Sequence, residues 1–157
     1  MTELWLVLRR RYPERAQMTD YEIADFVARF AAAWAARDGQ RFLDLWHQDG
    51  TLHSPLYDRA VKGSEFKELT ALIVKAAPDQ VWQLLDWTWR PRGDGAVVIV
   101  EWQSTRVVAG VRFDWRGVDK ITLRDGKIAE EIVYFDTAPL RAKRSGATLE
   151  ALVPLGA

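Results

Sequence analysis

Residues 111–124 read VRFDWRGVDKITLR, and their alternation decides how the chain folds. With a period of two, Val111, Phe113, Trp115, Gly117, Asp119, Ile121 and Leu123 share one face, and Arg112, Asp114, Arg116, Lys120, Thr122 and Arg124 share the other. Such a strand lays one face on a core. Asp119 is the one charge on that apolar face. An isolated buried carboxylate is expensive, so Asp119 must be paired, hydrogen-bonded or protonated, and desolvation raises its pKa. Catalytic acids are prepared in this way. A structural Asp accepting a Trp N–H or a backbone N–H fits the pattern equally well.

Working outward, Val98, Val100, Trp102, Ser104 and Arg106 share a face of the preceding strand, so Trp102 and Trp115 border one cavity. Arg106 is a candidate partner for Asp119, and that pairing would keep the carboxyl ionised. Everything after Pro78 has the twofold period and reads as four strands divided by turns at 92–95, 109–110 and 125–126. Before Pro78 the period is helical. Ile23, Phe26, Val27, Phe30 and Trp34 mark a helix over 21–37, opened by a Thr19/Glu22 capping box and ended by Asp38-Gly39. Phe42, Leu43, Leu45 and Trp46 mark a short second helix ended by Asp49-Gly50, and a third runs from Ser64 to about Ala76. Helices followed by an antiparallel meander predict an α+β domain, with N-terminal helices packed on a cone-shaped, curved antiparallel sheet that encloses an apolar pocket.

At 157 residues the chain suits one domain. We divide it into an N-terminal extension 1–18, a domain 19–140 and a C-terminal tail 141–157, with Met18 as an alternative start. Eight Trp suggest a generous core or an aromatic-lined cavity. The 22 basic residues balance the 22 acidic ones, which disfavours nucleic acid and anionic lipid as partners. The absence of Cys excludes disulfides, thiolate metal sites and a Cys nucleophile. No apolar run approaches the roughly 20 residues of a membrane span, and the N-terminal run is too short for a signal peptide, so the expected location is cytoplasmic.

Four segments then carry a resemblance: Val27 to Asp38, the run LWHQDGTLHSP at 45–55, Gly117-Val-Asp-Lys-Ile121, and Asp125-Gly-Lys-Ile128. Over roughly 25–140 the chain resembles the nuclear transport factor 2-like superfamily, within it the SnoaL-like and ketosteroid isomerase-like group. That fold hosts isomerases, cyclases, epoxide hydrolases, dehydratases and binding modules. The steroid isomerase pattern wants a Tyr on the first helix, an Asp base before the Pro and an Asp on the penultimate strand. Phe30, Ser54 and Asp119 stand at the matching positions, so only the last is kept. The protonated strand Asp that donates to an oxyanion is a known feature of that isomerase. By resemblance to the cyclases, Glu131 is an acid on the last strand, with Val133 and Phe135 on its face and Glu130 turned outward. The epoxide hydrolase set would need Asp86, Arg106 and Asp119.

His53 is the other candidate base, although strand alternation sends His53 and Ser54 to opposite sides. His47 reads as a surface or capping residue. Two His six residues apart make no metal signature, and adjacent Ser54 and His53 cannot form a nucleophile–base pair with Asp119. The expectation is a cofactor-free, metal-free small-molecule pocket for a hydrophobic carbonyl or cyclic compound. Asp119 is its acid, His53 or Glu131 its base, and Phe30, Trp34, Ser54, Trp102, Arg106, Trp115 and Phe135 contact the ligand. The alternative is a non-catalytic binding or dimerisation module, and the resemblance implies a homodimer through the outer face of the sheet.

Overall fold

A computed structural model describes residues 17–108 and 111–138. Helix α1, Asp20–Ala36, starts where the capping box predicts. The Thr19 N–H donates to Glu22 Oε2 at 2.8 Å, and the Glu22 N–H donates back to Thr19 Oγ1 at 3.3 Å. Its buried residues are Ile23, Phe26, Val27, Phe30 and Ala33, one apolar stripe. The helix stops at Arg37, which takes the left-handed conformation with φ 51°. Asp38 takes part in that ending through its backbone, whose N–H donates to the Ala33 carbonyl at 3.3 Å. Its carboxylate accepts from the N–H groups of Gln40 and Arg41 and caps α2, Gly39–Leu45.

Strand β1, Trp46–His53, follows α2 without a break, so Asp49-Gly50 lies inside a strand and does not close a helix. A two-residue strand β2, Val61–Lys62, and a 3₁₀ turn at Gly63–Glu65 lead into α3, Phe66–Ala76. Then come β3 (Val81–Arg92), β4 (Gly95–Val108), β5 (Val111–Arg124) and β6 (Lys127–Phe135). The β5–β6 hairpin turns on Asp125 and Gly126, with φ 54° and 72°, the doubly positive signature of a type I′ turn. The turn expected at Ala109-Gly110 lies outside the described residues, as do the tail and all but Gln17 and Met18 of the proposed extension.

The sheet order is β2-β1-β6-β5-β4-β3. The predicted meander is present and antiparallel throughout, but β1 joins its edge parallel to β6, which makes the whole sheet mixed. One face of this curved sheet packs on the helices. Phe30 of α1 meets Trp82 edge-on at 6.0 Å between ring centroids, Trp34 stacks on Trp82 at 5.9 Å, and Trp46 stacks on Phe66 at 4.1 Å. Trp89 Nε1 donates to Asp20 at 3.0 Å, tying the start of α1 to β3. Trp87 and Trp89 are thus half-buried sheet-packing residues. No described helix is long and apolar enough to cross a membrane.

Candidate active site

Between the inner face of the sheet and helices α1, α2 and α3 lies an apolar cavity of about 360 Å³. Trp34, Phe42, Phe66 and Leu69 wall it from the helical side, and Trp102, Trp115, Val133 and Phe135 from the sheet. Leu56 and Leu72, 56% and 63% exposed, mark its mouth. At its closed end are Asp119 and Glu131, each 2% exposed.

Register brings these carboxyls together. Asp119 on β5 stands opposite Val133 on β6, and Ile121 opposite Glu131, so the acids are diagonal neighbours on the inner face. The side chains hydrogen-bond to one another, which requires at least one proton between them. Trp102 Nε1 also donates to Asp119 Oδ1 at 2.8 Å. The indole reaches across β5 because Gly117, directly opposite Trp102, has no side chain; a Cβ there would overlap the ring.

Burial pushes Asp119 from its ordinary 3.8 up to about 7, against the opposing pull of the Trp102 and Glu131 hydrogen bonds. Burial also drives Glu131 well above the carboxylate range, and the neighbouring Asp119 charge and hydrogen bond push it the same way. The Trp102 N–H favours the Asp119 anion, whereas nothing comparable favours the Glu131 anion. Near neutral pH the shared proton therefore resides on Glu131.

Most of the anticipated residues meet here. Asp119, Glu131, Trp34, Ser54, Trp102, Arg106, Trp115 and Phe135 all line the cavity. Two do not. His53 is exposed on the opposite side of β1 from the buried Leu52, so a base at His53 has no access to the cavity. Phe30 is fully buried against Phe26 and Trp82, one layer behind the wall. The anticipated Arg106–Asp119 pair is also absent. Arg106 is six positions along β4 from Val100, the residue opposite Asp119, and its guanidinium lies over the Trp115 ring at 5.8 Å. Asp86 is exposed and accepts from the Trp87 N–H, so the epoxide hydrolase-type set does not assemble. His47 Nε2 contacts the Arg124 carbonyl oxygen at 2.6 Å, a tie between β1 and the end of β5.

Tyr57, Leu69, Ile73 and Gln80 line the cavity without having been anticipated. Leu69 and Ile73 were legible as one face of the third helix, but Tyr57 and Gln80 sit in connections without periodicity. Burial raises the Tyr57 hydroxyl pKa.

The SnoaL-like domain family matches residues 27–131. Among solved structures, a candidate SnoaL-like polyketide cyclase from Jannaschia sp. CCS1 is 18% identical, with 85% of this chain and 99% of that one covered and a TM-score of 0.66. IdmH, a candidate polyketide cyclase from Streptomyces antibioticus, is 17% identical over 78% of this chain and 97% of its own, with a TM-score of 0.63. TerC, co-crystallised with polyporic acid, is 20% identical over 76% and 95%, with a TM-score of 0.63. No curated protein sequence matches significantly.

Proposed function

Since the chain belongs to the SnoaL-like domain family of the nuclear transport factor 2-like superfamily, we propose that its cavity binds a small, largely apolar carbonyl or cyclic compound and acts on it by cofactor-independent acid–base chemistry. The observation that carries this reading is the hydrogen-bonded Asp119–Glu131 pair at the closed end of an aromatic cavity. Two carboxyls held apart in acidity by their surroundings are an acid and a base in one place. In this reading the roles are the reverse of the sequence expectation. Glu131 donates its proton to the substrate carbonyl oxygen. Asp119 removes a proton from the adjacent carbon, and the C–H electrons form the C=C bond of an enol. Returning that proton to another carbon isomerises the substrate. Expelling a β-hydroxyl that takes the proton held by Asp119, while the enol O–H proton returns to Glu131, releases water and leaves the enone. Attack of the enol carbon on a second carbonyl, whose oxygen takes the Asp119 proton while the enol O–H proton returns to Glu131, closes a ring. The polyporic acid of TerC and the cyclase names of the other neighbours support a polycyclic or aromatic ligand.

The test is α-hydrogen exchange of 2-tetralone in D₂O, followed by NMR. Wild type accelerates deuterium incorporation, Asp119→Asn abolishes the acceleration, and Glu131→Gln reduces it by about two orders of magnitude. One observation favours a second reading, a binding module without chemistry: the Trp102 bond already satisfies Asp119 as a structural acceptor would be satisfied. Tetralone that binds the wild type without accelerated exchange would establish that reading instead.

A further inference from the structure

The cavity has one cation among its described lining residues, Arg106, and no acidic side chain among the described residues pairs with it. None of the ion pairs among the described residues includes Arg106. Its Nε is buried without a hydrogen-bond partner, and its plane rests on Trp115. A guanidinium stays charged at every relevant pH, and a buried donor left unmade costs free energy. The Trp115 face holds the group without satisfying its N–H donors. Neither acid of the cavity pairs with it: Arg106 is six residues along β4 from the position opposite Asp119, roughly 20 Å of strand.

We infer that the ligand of this cavity carries a carboxylate that Arg106 receives, with an apolar body reaching from there toward the Asp119–Glu131 pair. The inference rests on the proposed reading of the cavity as the ligand site, and extends it by naming the charge of the ligand and the end that bears it. An anion at Arg106 accepts the orphan Nε–H and forms the planar, two-pronged contact to which a guanidinium is suited. It also keeps the negative group away from Asp119, whose own charge would repel it. Arg106 is then a specificity residue, and neutral analogues of the ligand bind with the donors still unmet.

The experiment is isothermal titration of the intact protein at pH 7.5 with biphenyl-4-carboxylate and its neutral twin, biphenyl-4-carboxamide. Wild type binds the carboxylate about tenfold tighter or more, the range for a charge-assisted hydrogen bond. Arg106→Gln removes this preference, so that the variant binds the two ligands about equally, while Arg106→Lys keeps part of it. The Asp119→Asn/Glu131→Gln variant retains the preference even if it has lost all exchange activity, so a failure of the chemistry is distinguishable from a failure of the anchor. Equal binding of the two ligands by wild type, a preference that survives Arg106→Gln, or no carboxylate binding up to about 1 mM would each overturn the assignment.

Discussion

Replacing both buried acids by their amides, Asp119→Asn with Glu131→Gln, should make the protein more stable at neutral pH. The exchange preserves shape and hydrogen bonding. The amide oxygen at position 119 still accepts from Trp102 Nε1, and its NH₂ donates to the amide oxygen at position 131. What disappears is the titration. Folding raises Asp119 from 3.8 to about 7, so between those values the native state holds a proton that the unfolded chain has released. The sign follows: this contribution to stability is complete below about pH 4 and is lost as pH rises to about 7. At about 1.4 kcal/mol per pH unit, Asp119 alone removes on the order of 4 kcal/mol. Glu131, raised in the same direction, adds to the loss and carries it to higher pH. The assay is urea unfolding by circular dichroism from pH 4.5 to 8.5. With an m-value of about 2 kcal/mol/M, the two proteins should have similar midpoints at the acid end and separate by about 2 M urea or more above pH 7. Parallel pH profiles for the two proteins would refute the reasoning, because they would mean that the native carboxyls titrate like solvated ones.

Gly117→Ala should displace the Trp102 ring, cost about 1–3 kcal/mol in thermal or urea unfolding as an overpacked site, and alter the near-ultraviolet dichroism. Trp102→Phe keeps an aromatic ring at the site, though a smaller one, and removes the donor to Asp119. It should lower stability by about 1.5–3 kcal/mol at pH 8 and much less at pH 5, where Asp119 is protonated; equal losses at both would show that the bond does not select the anion. Phe30→Ala should cost about 3–5 kcal/mol in urea unfolding, as expected of a fully buried ring between Phe26 and Trp82. His53→Ala should leave tetralone binding and exchange unchanged, and a tenfold loss in either would return His53 to the site.

Periodicity exposed the helices, the four-strand meander and the placement of Asp119, because each depends on neighbours within one element. What it could not expose was register. The diagonal meeting of Asp119 with Glu131 depends on how β5 aligns with β6 and on the irregularity between Thr122 and Leu123. That irregularity shifts the inward residues of β6 beyond Ile128 by one and has no mark in the residues themselves. The same limit explains Arg106. Its face was read correctly, but its distance from Asp119 is a matter of cross-strand alignment. His53 and Ser54 were left as alternatives by alternation, and the burial of Leu52 decides between them. Phe30 lay on the correct face of α1, yet helical spacing does not distinguish a core layer from a cavity wall. The parallel docking of β1 joins segments too far apart in the chain for any local pattern to reveal.

That docking also sets when the cavity can acquire its character. Trp46 pairs with Ile128 and Leu52 with Glu131, partners about 80 residues apart, whereas β3 to β6 pair with near neighbours along the chain. Closing so long a loop is the slow, entropically costly part of assembly. The meander can therefore form while Glu131 is still on an unpaired edge strand, hydrated and ionised like any surface carboxylate. Docking of β1 beside β6 completes the sheet around Glu131, so it is expected to belong to the same late stage as the burial that raises both acids. Refolding should accordingly be accompanied by late proton uptake from the solvent, with a chain segment remote in sequence from both acids governing their chemistry.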